Sequence, residues 1–182
     1  MKKLSDGEKE LLGEGRHVRL VRRRGWEYAE RKGNLSGIVV IVGAAAGKAV
    51  LVSQWREPVE TVVVEWPAGL AGDSVAVRGE ALEAAARREL EEETGFVAQT
   101  VEKLWAGPPS AGLSDEVVTF FHASGLVRKS DGGGVGDEQI QVHLVPLQDA
   151  EAWLAAAEAK GWLVDPKVWA GLYWLRAHAA EE

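Results

Sequence analysis

Cysteine is absent from this 182-residue sequence, and histidine occurs only four times. Without cysteine the chain can form neither disulfides nor thiolate metal sites. The histidines, His17, His122, His143 and His178, lack the spacing of a metal-binding motif. No apolar run approaches the roughly 18 residues that a membrane-spanning helix needs. Because the first residues, MKKLSDGEKELLGEG, also lack the apolar core of a signal peptide, we expect a cytoplasmic protein that binds no membrane.

Positive charge is in deficit: 21 lysines and arginines face 28 aspartates and glutamates, which gives a formal net charge of −7. Nonspecific binding of nucleic acid or of anionic membranes requires a basic face. We therefore expect no nucleic-acid partner, and an anionic substrate would need the help of cations. Apolar residues make up 46% of the chain, and eight tryptophans supply large anchors for a core, a dimer interface or a pocket for a flat ring.

The apolar periodicity predicts a mixed α+β domain in which strands outnumber helices. Polar residues 1–15 are expected to be loose, and the segment after them predicts a hairpin that turns near Arg24-Gly25. The predicted strands are residues 38–42, residues 49–55, the segment TVVVEWPAGL stopped by Pro67 and Gly69, and the segments FVAQTVEKLWAG, EVVTFFHA and IQVHLVPL. The predicted helices are residues 80–94, ended by Gly95, and the segments DAEAWLAAAEAKG and DPKVWAGLYWLRAHA, with Asp149 and Asp165 as N-caps.

The segment RRELEEETGF, residues 87–96, concentrates four glutamates within five positions. Pairs of like charges at helical spacing destabilise a helix by about 0.2–0.5 kcal/mol each. On a helical wheel Glu89 and Glu93 fall on the apolar side, and Glu92 lies at its margin. Arg88 reaches Glu92 at i+4 but does not neutralise the cluster, and partly buried carboxylates without compensation are unfavourable.

Two interpretations of this acidic cluster compete. The charge run alone favours a solvated helix face. The inward placement, the abrupt exit at Thr94-Gly95-Phe96 and the upstream segment WPAGL favour a site for Mg²⁺ or Mn²⁺, which bind oxygen ligands. Gly69 in that segment would let a backbone carbonyl approach the same ion.

Residues 80–96, EALEAAARRELEEETGF, resemble the Nudix box, in which a glutamate is followed, after seven residues, by Arg-Glu-apolar-x-Glu-Glu-x-Gly-apolar. Every fixed position from Glu80 onward matches. The resemblance implies a Nudix fold, an α/β/α sandwich around a mixed β-sheet, and hydrolysis of a nucleoside diphosphate linked to another moiety. It also implies that Glu89, Glu92, Glu93 and the Ala68 carbonyl hold the metal.

One position departs from the Nudix pattern. The family expects a glycine six residues before the first glutamate of the box, and position 74 is serine. Gly69 is the counterpart, so the loop before the helix is longer than in the family. This difference bears on the shape of the neighbouring substrate pocket.

The flanking segments QWREPV, EWPAGL, PSAGLSDE and GDEQIQVHLVP, together with GWEYAERK, resemble the ADP-ribose pyrophosphatase subgroup. In that subgroup two subunits exchange their N-terminal hairpins, and both chains contribute to each active site. The resemblance implies a homodimer. Residues 1–35 would be a flexible segment and dimerisation hairpin, and residues 36–182 the Nudix domain.

The same resemblance assigns substrate contacts to Trp26, Glu27, Arg56, Gly112 and Leu113. Trp26 has the position of an aromatic residue that stacks on adenine, and a core or interface tryptophan is an equal alternative. Arg56 resembles an arginine that packs against the nucleotide or its phosphates, the alternative being a surface arginine paired with Glu57 or Glu60. Gly112 and Leu113 resemble a substrate-side loop, although Gly-Pro-Pro just before them is also typical of a simple turn.

Glu138 matches the loop carboxylate that serves this subgroup as general base or as an additional metal ligand, with Asp137 as the fallback. The alternative is a solvated loop acid. The glycines at 132–134 are expected to act as a hinge that lets this loop close over substrate.

The resemblance to this subgroup implies hydrolysis of ADP-ribose, a small-molecule nucleotide sugar, to AMP and ribose 5-phosphate in the presence of Mg²⁺ or Mn²⁺. A rival within the family is a pyrophosphatase for another nucleotide sugar, a dinucleotide cofactor or FAD. A rival of another class is a noncatalytic ADP-ribose sensor, against which the retained Glu89, Glu92 and Glu93 argue. An acidic scaffold protein would require the box match to be accidental.

Overall fold

The strand Gly37–Ala45 separates two hydrophobic cores, because its successive side chains point to opposite faces of the sheet. Val40 and Val42 pack into one core, and Val39 and Ile41 pack into the other. A continuous apolar run of this kind is typical of a strand that is covered on both faces.

The structure, a computed structural model, describes residues 8–33, 37–72 and 79–178. Within these ranges the chain forms thirteen strands and three α-helices. The strands are β1 (Glu10–Glu14), β2 (Val18–Arg23), β3 (Trp26–Arg31), β4 (Gly37–Ala45), β5 (Lys48–Arg56), β6 (Thr61–Glu65), β7 (Ala68–Ala71), β8 (Phe96–Val97), β9 (Thr100–Gly107), β10 (Val118–Ser124), β11 (Val127–Arg128), β12 (Gln141–Pro146) and β13 (Leu163–Val164). The helices are α1 (Leu82–Thr94), α2 (Ala150–Glu158) and α3 (Pro166–His178).

Strands β4 and β5 form the centre of a mixed eight-stranded sheet with the order β13-β6-β5-β4-β10-β9, in which β12 also pairs with β5 and β7 with β4. The pairs β4–β10 and β6–β13 are parallel. β4 and β5 pair with each other only beside their turn, at Ala44↔Ala49 and Ala45↔Lys48. They then diverge, and β4 continues beside β7 while β5 continues beside β6. The cleft described below is lined by residues from these diverging ends.

Helices cover both faces of the sheet. α1 packs on one core, and α2 and α3 pack on the other. The buried Trp66 fixes α3 against β6, since its Nε1 donates a hydrogen bond to the Lys167 carbonyl at 3.1 Å. Gly171 makes room for this ring, because a Cβ there would lie 2.4 Å from Trp66 Nε1. The predicted α/β/α sandwich around a mixed sheet is confirmed.

A separate sheet of β1, β2 and β3 forms the N-terminal part of the described chain. Its second hairpin turns at Arg24-Gly25, as predicted. The expectation that residues 1–15 are loose is wrong for residues 10–14, which pair with β2, and residues 1–7 lie outside the described residues. The Ala29 N–H donates to the Leu113 carbonyl at 2.8 Å, so β3 lies against a loop of the same chain.

Two predicted strands are each divided in two by the structure. The segment TVVVEWPAGL breaks at Trp66-Pro67, and β7 leaves β6 to pair with β4, so Gly69 lies inside a strand rather than after one. The segment FVAQTVEKLWAG breaks after Val97, because β8 pairs with β11 whereas β9 pairs with β10.

The two predicted helix caps differ. Asp165 caps α3, and its Oδ1 accepts a hydrogen bond from the Lys167 N–H at 2.8 Å. Asp149 precedes α2 without a side-chain cap hydrogen bond, since a short 3-10 turn at residues 147–149 leads into that helix. Ser74 and most of the lengthened loop, residues 73–78, lie outside the described residues.

Candidate active site

Helix α1 turns one side of the acidic cluster toward the body of the protein. It begins after Ala81 and ends at Gly95, whose φ of 73° stops the helix as predicted. Glu93 is only 4% exposed, and the Glu89 side chain is 12% exposed. Glu91 is exposed on the opposite side. The inward placement inferred from the helical wheel is confirmed, and the solvated-face interpretation is wrong for Glu89 and Glu93.

The Glu89 carboxylate lies directly on Gly69 in β7. A Cβ at position 69 would stand 1.9 Å from Glu89 Cδ and 2.0 Å from its Oε1. Glycine is therefore needed here to give space to the carboxylate. From the sequence, Gly69 was expected to bring a backbone carbonyl near the cluster, and the space for Glu89 was missed.

Glu93 carries a carboxyl group that is hard to ionise. Burial raises its pKa to about 8, and the nearby Glu89, Glu138 and Glu65 raise the pKa as well. The opposing contact is a hydrogen bond that Glu93 Oε2 accepts from the Ala68 N–H at 3.1 Å. Among the described residues no lysine, arginine or histidine forms an ion pair with Glu93. A cation placed beside this carboxyl group would favour its ionised form.

Arg88 holds the other carboxylates of the cluster. Its Nη1 donates to Glu89 Oε1 and to Glu92 Oε2, both at 2.9 Å. Its Nη2 donates to Glu80 Oε2 at 3.1 Å and to the Leu70 carbonyl at 3.2 Å. The predicted i+4 pair with Glu92 is thus one contact of a network that joins the start of α1 to β7.

The donor set fits a divalent cation, although the side chains are not gathered around one point. In the described part of the chain no group of three or more histidine, aspartate or glutamate side chains is placed to hold a metal ion. Glu89 and Glu92 turn toward Arg88 Nη1, and Glu93 turns toward the Ala68 N–H. The oxygen ligands, the buried carboxyl group of Glu93 and the space over Gly69 nevertheless suit Mg²⁺ or Mn²⁺. Binding would exchange contacts to Arg88 for contacts to the ion.

The cluster opens into a cleft of about 480 Å³. Six of the predicted site residues line it: Arg56, Ala68, Glu89, Glu92, Glu93 and Glu138. Six other polar residues that line it were not predicted as site residues: Arg31, Gln54, Glu65, Arg88, Glu116 and Lys167. The structure therefore brings together the predicted metal and base residues and adds polar residues of both charges, among them Arg31 and Lys167 from distant elements.

Arg56 is held in the cleft by a partner that the sequence did not indicate. Its Nε donates to Glu65 Oε2 at 2.8 Å, and its Nη2 donates to Glu65 Oε1 at 3.0 Å. The predicted alternative, a surface pair with Glu57 or Glu60, is wrong. Burial raises the pKa of Glu65, and the charge and hydrogen bonds of Arg56 oppose that rise. The two-point contact fixes the plane of the guanidinium.

Four predicted substrate residues lie outside that cleft in a single chain. Trp26 is 62% exposed, and its Nε1 donates to the Gly112 carbonyl at 3.2 Å. Glu27 accepts hydrogen bonds from Arg22, and Leu113 is 66% exposed. Trp26 lines a second, open cleft of about 610 Å³. The exposure excludes the interpretation of Trp26 as a core residue within one chain.

Glu138 reaches the first cleft from the loop between β11 and β12. Its Oε2 accepts a hydrogen bond from the Val135 N–H at 2.8 Å. Asp137, the fallback, is not among the residues that line the cleft. Glu138 also raises the pKa of Glu93, which places its charge near the cluster.

Comparison with known proteins gives consistent matches. A family model for the NUDIX domain matches residues 33–165. The chain is 38% identical over 114 residues to an ADP-ribose pyrophosphatase of Bacillus subtilis (strain 168), covering 62% of this chain and 59% of that protein. It is 36% identical over 115 residues to a methanol dehydrogenase activator of Bacillus methanolicus, covering 63% of this chain and also 59% of that protein. It is 34% identical over 185 residues to an ADP-sugar pyrophosphatase of Mus musculus, covering 88% and 82%.

The fold has a solved counterpart. A crystal structure of an ADP compounds hydrolase superposes with a TM-score of 0.68 over 98% of both chains, at 19% sequence identity, which supports the fold alone. Among the described residues no helix is both long and apolar enough to cross a membrane. The matched box helix, the fold and the profile that covers residues 33–165 lead to one conclusion: the chain belongs to the Nudix family.

Proposed function

We propose that this protein hydrolyses the diphosphate of ADP-ribose to AMP and ribose 5-phosphate, with Mg²⁺ or Mn²⁺ as its cofactor. The observation that carries the proposal is the buried carboxylate of Glu93, which lies beside Glu89 in a 480 Å³ cleft and has no cationic partner among the described residues. The names of the pyrophosphatase relatives agree with this substrate class.

The metal would be held by Glu89, Glu92, Glu93 and the Ala68 carbonyl. When bound, divalent cations neutralise a diphosphate and make a water molecule more acidic. A protein of net charge −7 gains from such neutralisation when its substrate is anionic. Gly69 keeps the Glu89 carboxylate against β7, so that this ligand faces the cleft.

Glu138 is the proposed base. It accepts a proton from the attacking water, whose oxygen forms a bond to one phosphorus. The bond between that phosphorus and the bridging oxygen breaks, and the bridging oxygen stays on the departing phosphate. Arg56, oriented by Glu65, contacts the phosphates through its planar cation.

The adenosine end of the substrate would bind between two subunits. We propose a homodimer in which Trp26, Glu27, Gly112 and Leu113 complete the partner's site, with residues 1–35 forming the dimerisation segment. The exposure of Trp26, and its place in a cleft whose lining does not include Glu89, Glu92 or Glu93, support this arrangement. Stacking of a base on an aromatic ring contributes about 1–3 kcal/mol.

A substrate panel with product identification tests the proposal. ADP-ribose, other nucleotide sugars, dinucleotide cofactors and FAD are compared by kcat/KM in Mg²⁺, with and without EDTA. We expect ADP-ribose to have the highest value, AMP and ribose 5-phosphate to appear in equal amounts, and EDTA to stop the reaction. Preference for another member of the panel would change the substrate, and binding of ADP-ribose without turnover would favour the sensor.

A further inference from the structure

The loop that bears Glu138 is hydrogen-bonded to the last turn of α1. The final carbonyls of a helix have no partner within the helix and must find one elsewhere. Here the Glu93 carbonyl accepts from the Gly133 N–H at 2.8 Å, and the Glu92 carbonyl accepts from the Gly134 N–H at 3.0 Å. The same two glutamates contribute their carboxylates to the acidic cluster. The loop and the cluster therefore share one stretch of backbone.

Position 132 requires a glycine for this contact. Gly132 has a φ of +69°, and a Cβ there would lie 2.4 Å from the carbonyl carbon of Thr94 and 2.6 Å from the Glu93 oxygen. Gly136, in the same loop, has a nearly equal φ of +66°, but a Cβ there would meet no atom within 4 Å. Alanine at either position would be strained to a similar degree, and only alanine at 132 would collide with α1.

The Glu138 side chain lies directly on Gly134, one of the glycines that contact α1. A Cβ at Gly134 would stand 2.6 Å from Glu138 Oε2 and 2.7 Å from Glu138 Cβ. On the other side of the glycines, the Lys129 N–H donates to the Gly95 carbonyl at 2.7 Å. The loop is therefore in contact with the end of α1 from Lys129, which binds Gly95, to Gly134, on which Glu138 lies.

We propose that residues 132–134 are a positioning clamp that sets the place of Glu138 relative to Glu92 and Glu93 through main-chain hydrogen bonds. The inference rests on the function proposed above, in which Glu138 accepts the proton. It replaces the hinge expected from the glycine content, because these glycines are packed against α1.

The test compares Gly132→Ala with its matched control, Gly136→Ala, in the full chain. We expect Gly132→Ala to lower kcat about 100-fold and to leave KM unchanged. A loss of this size is typical when a catalytic group is displaced by ~1 Å. Gly136→Ala should keep the kcat of the native protein. Equal kcat values for the two variants would overturn the clamp.

Amide hydrogen exchange gives a readout that does not depend on turnover. In the native protein the Gly133 and Gly134 amides should exchange slowly, as expected for hydrogen-bonded groups at a stable helix end. The protection should be lost in Gly132→Ala and kept in Gly136→Ala. If these two amides exchange in the native protein as fast as that of Gly136, the clamp does not exist, whether or not any variant folds.

A double variant separates the clamp from a general disturbance of α1. Gly132→Ala combined with Glu138→Gln should be no slower than Glu138→Gln alone, because both changes act through one side chain. A double variant slowed by the product of both single effects would contradict this. If Glu138→Gln keeps full activity, the proposed base is wrong, while the exchange measurement still decides whether the clamp exists.

Discussion

At the scale of single residues, the missing side chain at position 69 determines where the Glu89 carboxylate lies. β7 and α1 approach so closely that the carboxylate occupies the place of a Cβ. A second residue-scale feature is Glu93, whose burial raises its pKa to about 8, so that a cation beside it would favour the ionised carboxylate. Both features come from the contact between two elements that are distant in the sequence.

Gly69→Ala should weaken metal binding without unfolding the protein. The added Cβ would collide with the Glu89 carboxylate and displace one ligand. Disturbing the support of a metal ligand lowers metal affinity by about 10–100-fold. We expect the Mg²⁺ concentration for half-maximal activity to rise by that factor. Gly107→Ala is the control, since a Cβ at this other strand glycine meets nothing within 4 Å, and an equal shift in both variants would contradict the account.

His143 should make stability depend on pH. Its ring lies 4.9 Å from Trp153 and its Nε2 lies 2.8 Å from Ser53 Oγ. Burial lowers the pKa of His143, and Lys160 lowers the pKa further. The unfolded chain, with a histidine pKa of about 6.5, therefore takes up the proton first as the pH falls. The stability that this residue contributes is present above that pKa and is lost below it.

Urea unfolding at pH 7.5 and pH 5.5 measures this effect. His143→Gln should lose less stability between the two pH values than the native protein does. The exposed His17 provides the control, and His17→Gln should lose as much as the native protein. An undiminished loss in His143→Gln would show that the pH dependence has another origin.

At the scale of elements, Trp66 joins β6 to α3. Alanine is more favourable than glycine in a helix interior by about 1 kcal/mol, so propensity alone predicts that Gly171→Ala stabilises the protein. A Cβ at 171 would instead lie 2.4–2.9 Å from atoms of the Trp66 ring. Overpacking of this kind destabilises by about 1–3 kcal/mol. We expect Gly171→Ala to unfold at lower urea concentration than the native protein.

A double variant checks the cause of that loss. Trp66→Phe removes part of the ring that the new methyl group would meet, so Gly171→Ala should be less destabilising in the Trp66→Phe background. Simple additivity of the two changes would show that the residues do not interact.

The helices and strands also show which features of the site could be predicted from the sequence. Glu89, Glu93 and Gly95 follow from helical periodicity and from the use of glycine at helix ends, which are local properties, so this helix was predicted well. Most partners of Arg56 and Arg88 were missed, because Glu65 and Leu70 are not close to them in the sequence. Glu65 is brought to Arg56 by the pairing of β5 with β6, and the Leu70 carbonyl is brought to Arg88 by the contact between β7 and α1. The contacts of Gly132, Gly133 and Gly134 with α1 were not foreseen for the same reason.

The N-terminal residues were misjudged because polar composition was taken as a sign of disorder. β1 is held by pairing with β2, and alternation over five residues is too short to reveal this. Trp26 shows a second limit of prediction from the sequence. Its position in a hairpin was predicted, but which cleft it serves depends on how subunits assemble.

At the scale of the whole molecule, the proposed shared site can be tested by complementation. Trp26→Ala and Glu93→Gln should each have low activity alone. In a mixed dimer produced by coexpression, one site would combine the native Trp26 of one chain with the native Glu93 of the other, and activity should return. No recovery in a purified mixed dimer would place both residues in the site of one chain.

The acidic cluster remains the centre of the account, and one measurement tests it most directly. Glu93→Gln and Glu91→Gln replace the same carboxyl group by an amide on the same helix, and they differ in that Glu93 faces the cleft whereas Glu91 is exposed to solvent. The measurement is the rate of ADP-ribose hydrolysis in saturating Mg²⁺. We predict that Glu91→Gln retains the native kcat and that Glu93→Gln has no measurable turnover while remaining folded. Full Mg²⁺-dependent activity in Glu93→Gln would contradict the account.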